Sequence, residues 1–327
     1  MTAVVAAPRR IRPHPAAAAV VAVAAVAVAV VVEHNQARDR VGIGWRGELA
    51  AGIFTHLAHI DLLEIIADDH FRATPRELRA LRTLGAQTPI TLHGVAMGLA
   101  GSELVELGRM ENMARLVDAL QPQSWSEHLA FVRAGGIEIG HLAAPPRTAR
   151  NVEAAIANIG RASKIIGAAP LLENIATLID PPGSSLDEAA WVSSIIAGSS
   201  ADLLIDLHNL YANALNFGTD PGALLLRFPL HRVRAVHLSG GQWVAEPAPN
   251  PGKRMRLLDD HLHDVPPPVF ELLALLAQYA PQPLDVIIER DGSYPDFASL
   301  LKQLDAARVA LRRGRAISLG AQMLVAA

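Results

Sequence analysis

The strongest constraint on the fold is a regular alternation, from Val41 onward, of short apolar segments with longer amphipathic ones. Each apolar segment has the length of a buried strand, and each amphipathic segment carries apolar residues at helical spacing. Strands that alternate with helices pair in parallel, because each helix crosses back over the sheet. Eight such units over about 270 residues predict an α/β fold, the (β/α)8 TIM barrel. A doubly wound open sheet is the alternative, but no glycine-rich phosphate turn follows the first strand.

The predicted strands are Val41–Trp45, Leu62–Ala67, Ile90–Val95, Ser124–Phe131, Leu171–Ile175, Asp202–His208, Val233–Ser239 and Asp285–Arg290, and polar residues stand at or near the carboxyl end of each. The predicted helices lie between them: Glu48–His59, Pro75–Leu84, Ser102–Leu120, Thr148–Ile166, Leu186–Ala197, Gly222–Phe228, Pro267–Gln278 and Phe297–Arg312. Residues Tyr211 to Gly218, after strand six, are expected to form a polar loop. Two insertions, His141–Arg147 and Gly240–Val265, follow strands four and seven, on the side where barrel enzymes build active sites.

The two ends of the chain differ from the barrel region, 41–312. Residues 1–40 contain an unbroken Ala/Val run, Ala16–Val32, behind three arginines. We interpret this segment as a low-complexity extension, because the run is short for a membrane span of about 20 residues. A signal segment or membrane anchor is the alternative, and a cytoplasmic protein without membrane attachment is the expectation. The sequence leaves two interpretations of the tail, 313–327: a short strand or helix that packs on the barrel, or a segment that contacts a partner.

The composition of the chain excludes several classes of function and several kinds of metal site. With 51% hydrophobic residues and a net charge of −3, the chain can build a large core but lacks the basic surface expected of a nucleic-acid binder. It contains no cysteine, which excludes a thiolate nucleophile and cysteine-bound zinc. Any metal must be held by His, Asp, Glu and Asn, a ligand set that suits iron, manganese, zinc or magnesium.

Polar side chains gather at the carboxyl ends of the predicted strands, which meet at one mouth in a barrel. They are Glu64, Asp68, Asp69, His93, Glu127, His128, Glu173, Asn174, Asp206, His208, Asn209, His237, Asp259, Asp260, His261, His263, Glu289 and Asp291. Taken singly, each has a structural explanation, such as a helix cap at Asp206 or Asn209, or a buried histidine at His93. Taken together, so many carboxylates need neutralising cations, and the interleaved histidines favour two or three bridged metal ions.

Nine stretches of this chain carry a resemblance to a known family: Gly42–Arg46, Leu62–Phe71, Leu92–Glu103, Ser124–Phe131, Leu171–Ile179, Leu203–Gly218, His237–Gly241, Leu257–Val269 and Val286–Gly292. With these motifs in order, the chain resembles the DUF692 family of multinuclear non-haem iron-dependent oxidative enzymes. The resemblance implies a xylose-isomerase-like TIM barrel with two or three iron ions at its mouth. It also implies O2-dependent oxidation of a cysteine in a ribosomally made precursor peptide, which a small partner protein often delivers.

The resemblance also implies roles for individual residues. The metal ligands that it suggests are His93, Glu127, Glu173, Asp206, His208, Asn209, His237, His261 and Glu289. Asp259 is the candidate base that acts on the substrate. The chain departs from the common pattern at three places: many members have Asn at the position of His208, Glu-Asn at Asp68-Asp69, and a histidine at the position of Gly241. The last departure leaves the number of iron ions open.

Two other classes of function share these features. One is a divalent-metal barrel of the xylose-isomerase type, acting as a sugar isomerase or a phosphodiester hydrolase. The other is a non-catalytic protein that binds a peptide or a metal during maturation. Bound iron and O2-dependent turnover would separate the oxidative enzyme from both.

Overall fold

The eight predicted strands are present and close into one parallel barrel. The computed structural model describes residues 38–245 and 255–326, and of the last six of these the backbone only. The barrel strands are β1 (Arg40–Gly44), β2 (Leu63–Ile66), β3 (Ile90–Gly94), β4 (Trp125–His128), β7 (Leu171–Glu173), β8 (Asp202–Asp206), β9 (Val233–Leu238) and β12 (Asp285–Ile288). Their spatial order follows the chain, and β1 pairs with both β2 and β12 to close the ring. The TIM barrel is therefore confirmed, and the open-sheet alternative is wrong.

The helices that follow the strands are α1 (Ala50–Thr55), α2 (Pro75–Gly85), α3 (Leu107–Leu120), α4 (Ala149–Ile166), α5 (Glu188–Gly198), α6 (Leu207–Phe217), α7 (Pro221–Leu225), α8 (Pro267–Tyr279) and α9 (Phe297–Ala326). Local sequence explains where several begin. Thr74 and Glu77 form a capping box at the start of α2, and Pro75 occupies its first turn, where the missing N–H is not needed. Leu81 and Leu84 then face the core.

Two β-hairpins follow β4 and β9: the second lies within the predicted insertion Gly240–Val265, whereas most of the first lies before the predicted insertion His141–Arg147. β5 (Phe131–Ala134) and β6 (Ile137–Ala143) pair antiparallel after β4, and β10 (Gly241–Ala245) and β11 (Met255–Asp259) pair antiparallel after β9. Both rise from the carboxyl ends of barrel strands. They therefore wall the mouth at which the predicted site residues gather.

At the opposite end of the barrel, an ion pair of Arg40 and Asp285 joins β1 to β12. The guanidinium Nε lies 2.7 Å from Asp285 Oδ1, and Arg40 is almost fully buried. Between strands and helices lies a continuous apolar layer that includes Ile43, Ile65 and Leu92. The functional mouth is thus carried on a rigid, packed frame.

The loop predicted after strand six is wrong. Strand β8 ends at Asp206, and α6 begins at the next residue, because the Asp206 carboxylate accepts a hydrogen bond of 2.6 Å from the Asn209 amide and caps the helix. The helix runs to Phe217 and ends at Gly218, whose φ of 74° is the left-handed conformation that glycine adopts readily. Asn213 and Asn216 suggested a loop, but both are buried on this helix.

The last helix, α9, continues without a break from Phe297 to Ala326, so the predicted tail from residue 313 begins inside a helix. The Ala/Val-rich extension lies outside the described residues. Within residues 38–245 and 255–326, none of the helices is both long and apolar enough to cross a membrane.

Candidate metal centre

Glu173, the last residue of β7, lies at the centre of the barrel mouth. Its Oε2 atom is 3.4 Å from Nε2 of His93 and 3.4 Å from Nε2 of His128. Its Oε1 atom faces the other way and lies 3.2 Å from Nδ1 of His237. The two oxygens of one buried carboxylate therefore belong to two different groups of side chains.

His237, on β9, joins the second group and is fully buried. Its Nδ1 atom lies 3.0 Å from Oε2 of Glu289, the residue after β12, as well as near Glu173. Its Nε2 atom lies 3.1 Å from Oε2 of Glu64 on β2. The carboxylates of Glu64 and Glu289 thus face opposite edges of one imidazole and fix its orientation.

Asp206 and Asn174 interlock at the ends of β8 and β7. The Asn174 side chain donates to the Asp206 carbonyl at 3.0 Å and accepts from the Asp206 amide at 2.9 Å. One Asp206 oxygen caps α6, and the other, Oδ2, is buried without a hydrogen-bond partner. Asn209 donates to the Asn174 carbonyl at 3.1 Å, while its own Oδ1 is also buried and unpartnered.

Asp259, the predicted base, lies between two imidazoles. Its Oδ1 is 2.8 Å from His208 Nδ1, and its Oδ2 is 2.9 Å from His261 Nε2. Ser239 donates a further hydrogen bond to Oδ1 at 3.0 Å. Burial opposes ionisation, but the hydrogen bonds of His208 and His261 outweigh it and hold the pKa of Asp259 well below its usual range. Such a carboxylate is a weak proton acceptor, so its contacts favour orienting the two histidines over acting as a base.

Glu127 has a different environment from the other predicted ligands. Its Oε2 accepts from the Met97 amide at 3.2 Å and its Oε1 from the His128 amide at 3.0 Å. Gly94 leaves room for this carboxylate, since a Cβ there would lie 2.6 Å from Oε2. The neighbouring His128, which sequence analysis placed at the mouth but not among the ligands, lies between two carboxylates: its Nδ1 is 3.7 Å from Glu127 Oε1 and its Nε2 is 3.4 Å from Glu173 Oε2.

Three clusters in the described part of the chain bring at least three His or carboxylate ligand atoms within reach of one ion. They are Glu64–His93–His237, His93–His128–Glu173, and Glu173–Asp206–His237–Glu289. We call His93–His128–Glu173 the first group and Glu173–Asp206–His237–Glu289 the second group; they share only Glu173, whose Oε2 lies near His93 and His128 and whose Oε1 lies near His237. Because each oxygen of Glu173 faces a different group, the two groups can be filled together with Glu173 as the bridge, whereas Glu64–His93–His237 competes with the first group for His93.

Unsatisfied polar atoms support cation binding at these clusters. Glu173 Oε2, Asp206 Oδ2 and Glu64 Oε1 are all buried without a hydrogen-bond partner. Buried carboxylate oxygens are costly in this state, and a bound cation would satisfy them. Of the nine predicted ligands, His93, Glu173, Asp206, His237 and Glu289 lie in these clusters. His208, Asn209 and His261 lie beside them, and Glu127 is bonded to backbone amides.

The pKa shifts at the site show that its buried carboxylates need positive charge beside them. Burial raises the pKa of Asp206, and the carboxylates of Asp259 and Glu173 raise it further. Burial disfavours a charged His128, but Glu173 and Glu127 outweigh it and raise the pKa of His128 to about 9. Without metal, protons supply the charge that cations would supply, so metal binding must release protons.

We expect the metal-free protein to lose stability as the pH rises through this range. The His128 pKa lies above its unfolded value of 6.5, so its contribution is complete below pH 6.5 and lost by about pH 9. The shift corresponds to roughly 3 kcal/mol at most. Thermal unfolding in EDTA between pH 6 and 9.5 measures this loss, which His128→Gln should reduce and zinc loading should remove. A flat profile for the metal-free wild type would contradict it.

A pocket of about 620 Å3 opens above the cluster. Its floor is polar and includes Glu173, Asn209 and His261. Its walls are largely apolar and come from the segment after β7, with Ile175 and Leu178, from the hairpin strand β6 and the residues that follow it, and from the hairpin strand β11. The volume falls in the range of roughly 300–1,000 Å3 that small-ligand sites occupy. The arrangement suits a substrate that brings one reactive polar group to the floor and apolar groups to the walls.

The departure at Gly241 has a structural explanation. A Cβ atom at this position would lie 2.0 Å from the Leu258 carbonyl oxygen and 2.7 Å from Cε1 of His208. The His208 imidazole therefore occupies the space beside Gly241, and its Nε2 atom is buried and unpartnered. In this chain an imidazole reaches the mouth from α6 at a point where the backbone of β10 leaves no room for a side chain.

Fold and site together define a TIM-barrel protein with a buried cluster of histidines and carboxylates at its mouth. A sequence model of the family described as RiPP precursor modification enzyme MbnB/TglH/ChrH matches residues 40–312. The chain belongs to this family, DUF692, as the nine motifs indicated.

Two proteins of similar sequence support the family assignment. A UPF0276 protein of Streptomyces avermitilis is 33% identical over 285 residues, which is 83% of this chain and 55% of that protein. The chain thus spans about half the length of that relative. A UPF0276 protein of Caulobacter vibrioides is 31% identical over 253 residues, covering 77% of this chain and 88% of the relative.

Solved structures share the fold. D-psicose 3-epimerase from Clostridium cellulolyticum H10 superposes with a TM-score of 0.53 at 13% identity, covering 85% of this chain and 99% of the epimerase. A xylose isomerase domain containing protein from Salmonella typhimurium gives 0.52 at 17% identity, with 85% and 98% covered. These likenesses confirm the xylose-isomerase-like barrel and concern the fold alone.

Proposed function

We propose that this protein is a multinuclear non-haem iron enzyme that uses O2 to oxidise a cysteine of a ribosomally synthesised precursor peptide. The observation that carries the proposal is the pair of ligand groups bridged by Glu173 on the floor of an apolar pocket. Membership of a family of precursor-peptide modification enzymes supports the substrate class. We place the reaction in the cytoplasm, where precursor peptides are made, and expect a small partner protein to deliver the peptide.

The donor set fits iron. The ligands of the two groups are imidazole nitrogens and carboxylate oxygens, which bind ferrous and ferric ions, and the chain has no cysteine to compete for them. His93, His128 and Glu173 would hold one ion, and Glu173, Asp206, His237 and Glu289 a second. His208, Asn209 and His261 lie beside these two groups, and their role as ligands stays a prediction. Iron, when bound, supplies the one-electron chemistry that reaction with O2 requires.

The residues around the ions have separate tasks. Glu64 holds His237 through Nε2, so that Nδ1 faces the second group. Ser126 contacts Nδ1 of His93 at 2.8 Å, which leaves Nε2 for the first group. Asp259 orients His208 and His261, and its role as the substrate base stays a prediction. The apolar walls exclude water and receive the peptide beside the reacting thiol.

The pocket favours a peptide over a sugar. A sugar needs hydrogen-bonding groups on several sides, whereas the segment from Ile175 to Ile179 and the residues Leu257 and Leu258 present mainly apolar surface. The sugar isomerase or phosphodiester hydrolase and the non-catalytic binding protein are therefore the competing outcomes of the test below.

The test is metal content followed by O2 uptake. Protein purified without oxygen is expected to contain about two or more iron ions per chain. Cysteine-containing peptides should then stimulate O2 consumption and change in mass, whereas the same peptides with serine should not. Manganese, magnesium or zinc alone, with iron failing to bind, would favour the isomerase or hydrolase. Protein that binds no metal would favour the non-catalytic role.

A further inference from the structure

One face of α6 carries three buried asparagines. Asn209, Asn213 and Asn216 stand at positions i, i+4 and i+7, which places them in a row along one side of a helix. Their exposed fractions are 5%, 2% and 4%. Three buried amides in a row are unusual on a helix that packs against a core, and each must find backbone partners.

Asn209 is at the metal end of the row. It follows Asp206, which caps the helix and belongs to the second ligand group. Its side chain donates to the Asn174 carbonyl, at the start of the segment that leaves β7. The first turn of α6 and the first residue of that pocket wall are therefore joined beside the candidate ions.

Asn213 holds the same wall one turn further on. Its Nδ2 donates to the Ile175 carbonyl at 2.9 Å, and its Oδ1 accepts from the Thr177 amide at 2.8 Å. Both residues line the pocket, and the segment belongs to no helix or strand. Its position therefore depends on side-chain contacts of this kind.

Asn216 holds the opposite wall. Its Oδ1 accepts from the Leu257 amide at 2.8 Å, and its Nδ2 donates to the Leu257 carbonyl at 2.9 Å. Leu257 is in β11 and lines the pocket. One asparagine thus pairs with both backbone groups of a hairpin residue, as a neighbouring strand would.

We propose that α6 sets the shape of the substrate pocket from the metal centre, with Asn213 and Asn216 as positioning residues for two of its walls. The helix is a stiff rod, and Asn209 to Asn216 spans about 10 Å along it. A cation bound by Asp206 would fix the first turn of α6. Asn213 and Asn216 would then hold the segment after β7 and the strand β11 at set positions relative to the ion. The inference rests on the proposed function, because it requires a metal ion in the Asp206 group.

The test is hydrogen exchange followed by mass spectrometry on the full chain, metal-free and loaded with Fe2+ or with Zn2+. In the wild type, loading is expected to slow exchange at least about tenfold in residues 174–179 and 255–259. Asn213→Ala should lose this response at 174–179 and keep it at 255–259. Asn216→Ala should show the reverse pattern.

Asn158→Ala is the matched control. Asn158 is also a buried helical asparagine, and it clamps a different segment through the carbonyls of Leu99, Gly101 and Glu103. Its replacement should loosen residues 99–105 and leave the metal response of both walls unchanged. A purely structural role of Asn213 and Asn216 would raise exchange equally in both metal states, which would overturn the proposal.

Zinc separates this proposal from the proposed function. Protein that binds zinc but no iron would contradict the iron oxidase, while the response of the walls could still be measured with zinc. If the walls of the wild type did not respond to either metal, or if both variants kept the wild-type response, the positioning role would be rejected. Protein that bound neither metal would overturn both proposals.

Discussion

Glu173→Gln is expected to remove metal from both ligand groups in one substitution. Glu173 is the residue that the two compatible groups share, through Oε2 on one side and Oε1 on the other. The amide has the same shape but no charge, so it loses the bridging interaction without opening a cavity. Because altering even a supporting partner of a ligand costs about 10–100-fold in metal affinity, we expect a loss above 100-fold here.

The measurement is iron and zinc titration of the metal-free protein, together with the metal content of protein purified without oxygen. Glu127→Gln is the informative comparison on the neighbouring strand, because that carboxylate is bonded to the amides of Met97 and His128. We expect it to keep most of the metal. An equal loss in Glu127→Gln would restore Glu127 as a ligand, and wild-type metal content in Glu173→Gln would refute the bridged centre.

The stability of Glu173→Gln tests the same geometry without metal. Burial opposes a charged Glu173, but His237, His128 and His93 outweigh it and lower the pKa of Glu173. The carboxylate is thus the counter-charge for His237 and His128, whose pKa values are raised, whereas burial lowers the pKa of His93. We infer that its loss lowers the pKa values of His237 and His128, so the fall in stability of the metal-free variant above pH 6.5 should be smaller than in the wild type and should end at a lower pH.

The barrel could be predicted from sequence because its signal is repeated. Eight apolar segments with polar ends, separated by amphipathic segments, leave few topologies, and an error in one unit does not change the count. Strand ends were less predictable: strand four ends at His128 and not at Phe131, because the chain there turns into the hairpin β5–β6. The second hairpin was hidden in a segment predicted as an insertion, and most of the first lies between the predicted strand four and the predicted insertion His141–Arg147.

The sequence indicates which residues gather at the mouth better than it indicates how their side chains are oriented. Sequence places Glu127 and His128 together at the end of one strand, but successive side chains of a strand point to opposite sides. Position along the chain could not show that the His128 imidazole reaches Glu173 through Nε2 while the Glu127 carboxylate accepts hydrogen bonds from the amides of Met97 and His128. Glu64 was named among the strand-end residues but was not predicted as a ligand, although its contact with His237 places it in one of the clusters. In each case the missing information is the side of the strand to which a side chain points, and this depends on the register of the strand in the barrel.

Asp206 shows how two interpretations of one residue can both hold. The sequence left open whether Asp206 caps a helix or binds a metal. In the structure Oδ1 caps α6 and Oδ2 is buried and free for a cation. A strand that ends directly in a helix N-terminus thus allows one carboxylate to fix the helix and to face the mouth of the barrel.

Substitution of Asp206 separates these two roles. Asn and Asp are equally good N-caps, so Asp206→Asn should leave the metal-free protein within about 0.5 kcal/mol of the wild type, whereas Asp206→Ala should cost about 1 kcal/mol. Both variants lose the charged ligand and should lose the ion of the second group, keeping at most the one held by His93, His128 and Glu173. Chemical unfolding of the metal-free proteins and their metal stoichiometry provide the two measurements.

Asp202→Asn is the control on the same strand, at the amino end of β8, where the carboxylate pairs with Arg232 and Arg234 far from the mouth. It should retain the full metal content. Asp206→Asn with an unchanged metal stoichiometry would remove Asp206 from the ligand set and leave it as a cap alone. Equal stability of Asp206→Asn and Asp206→Ala, with metal lost in both, would instead show that the carboxylate acts mainly on the ion, and that α6 is fixed at its start by Asn174 and the metal.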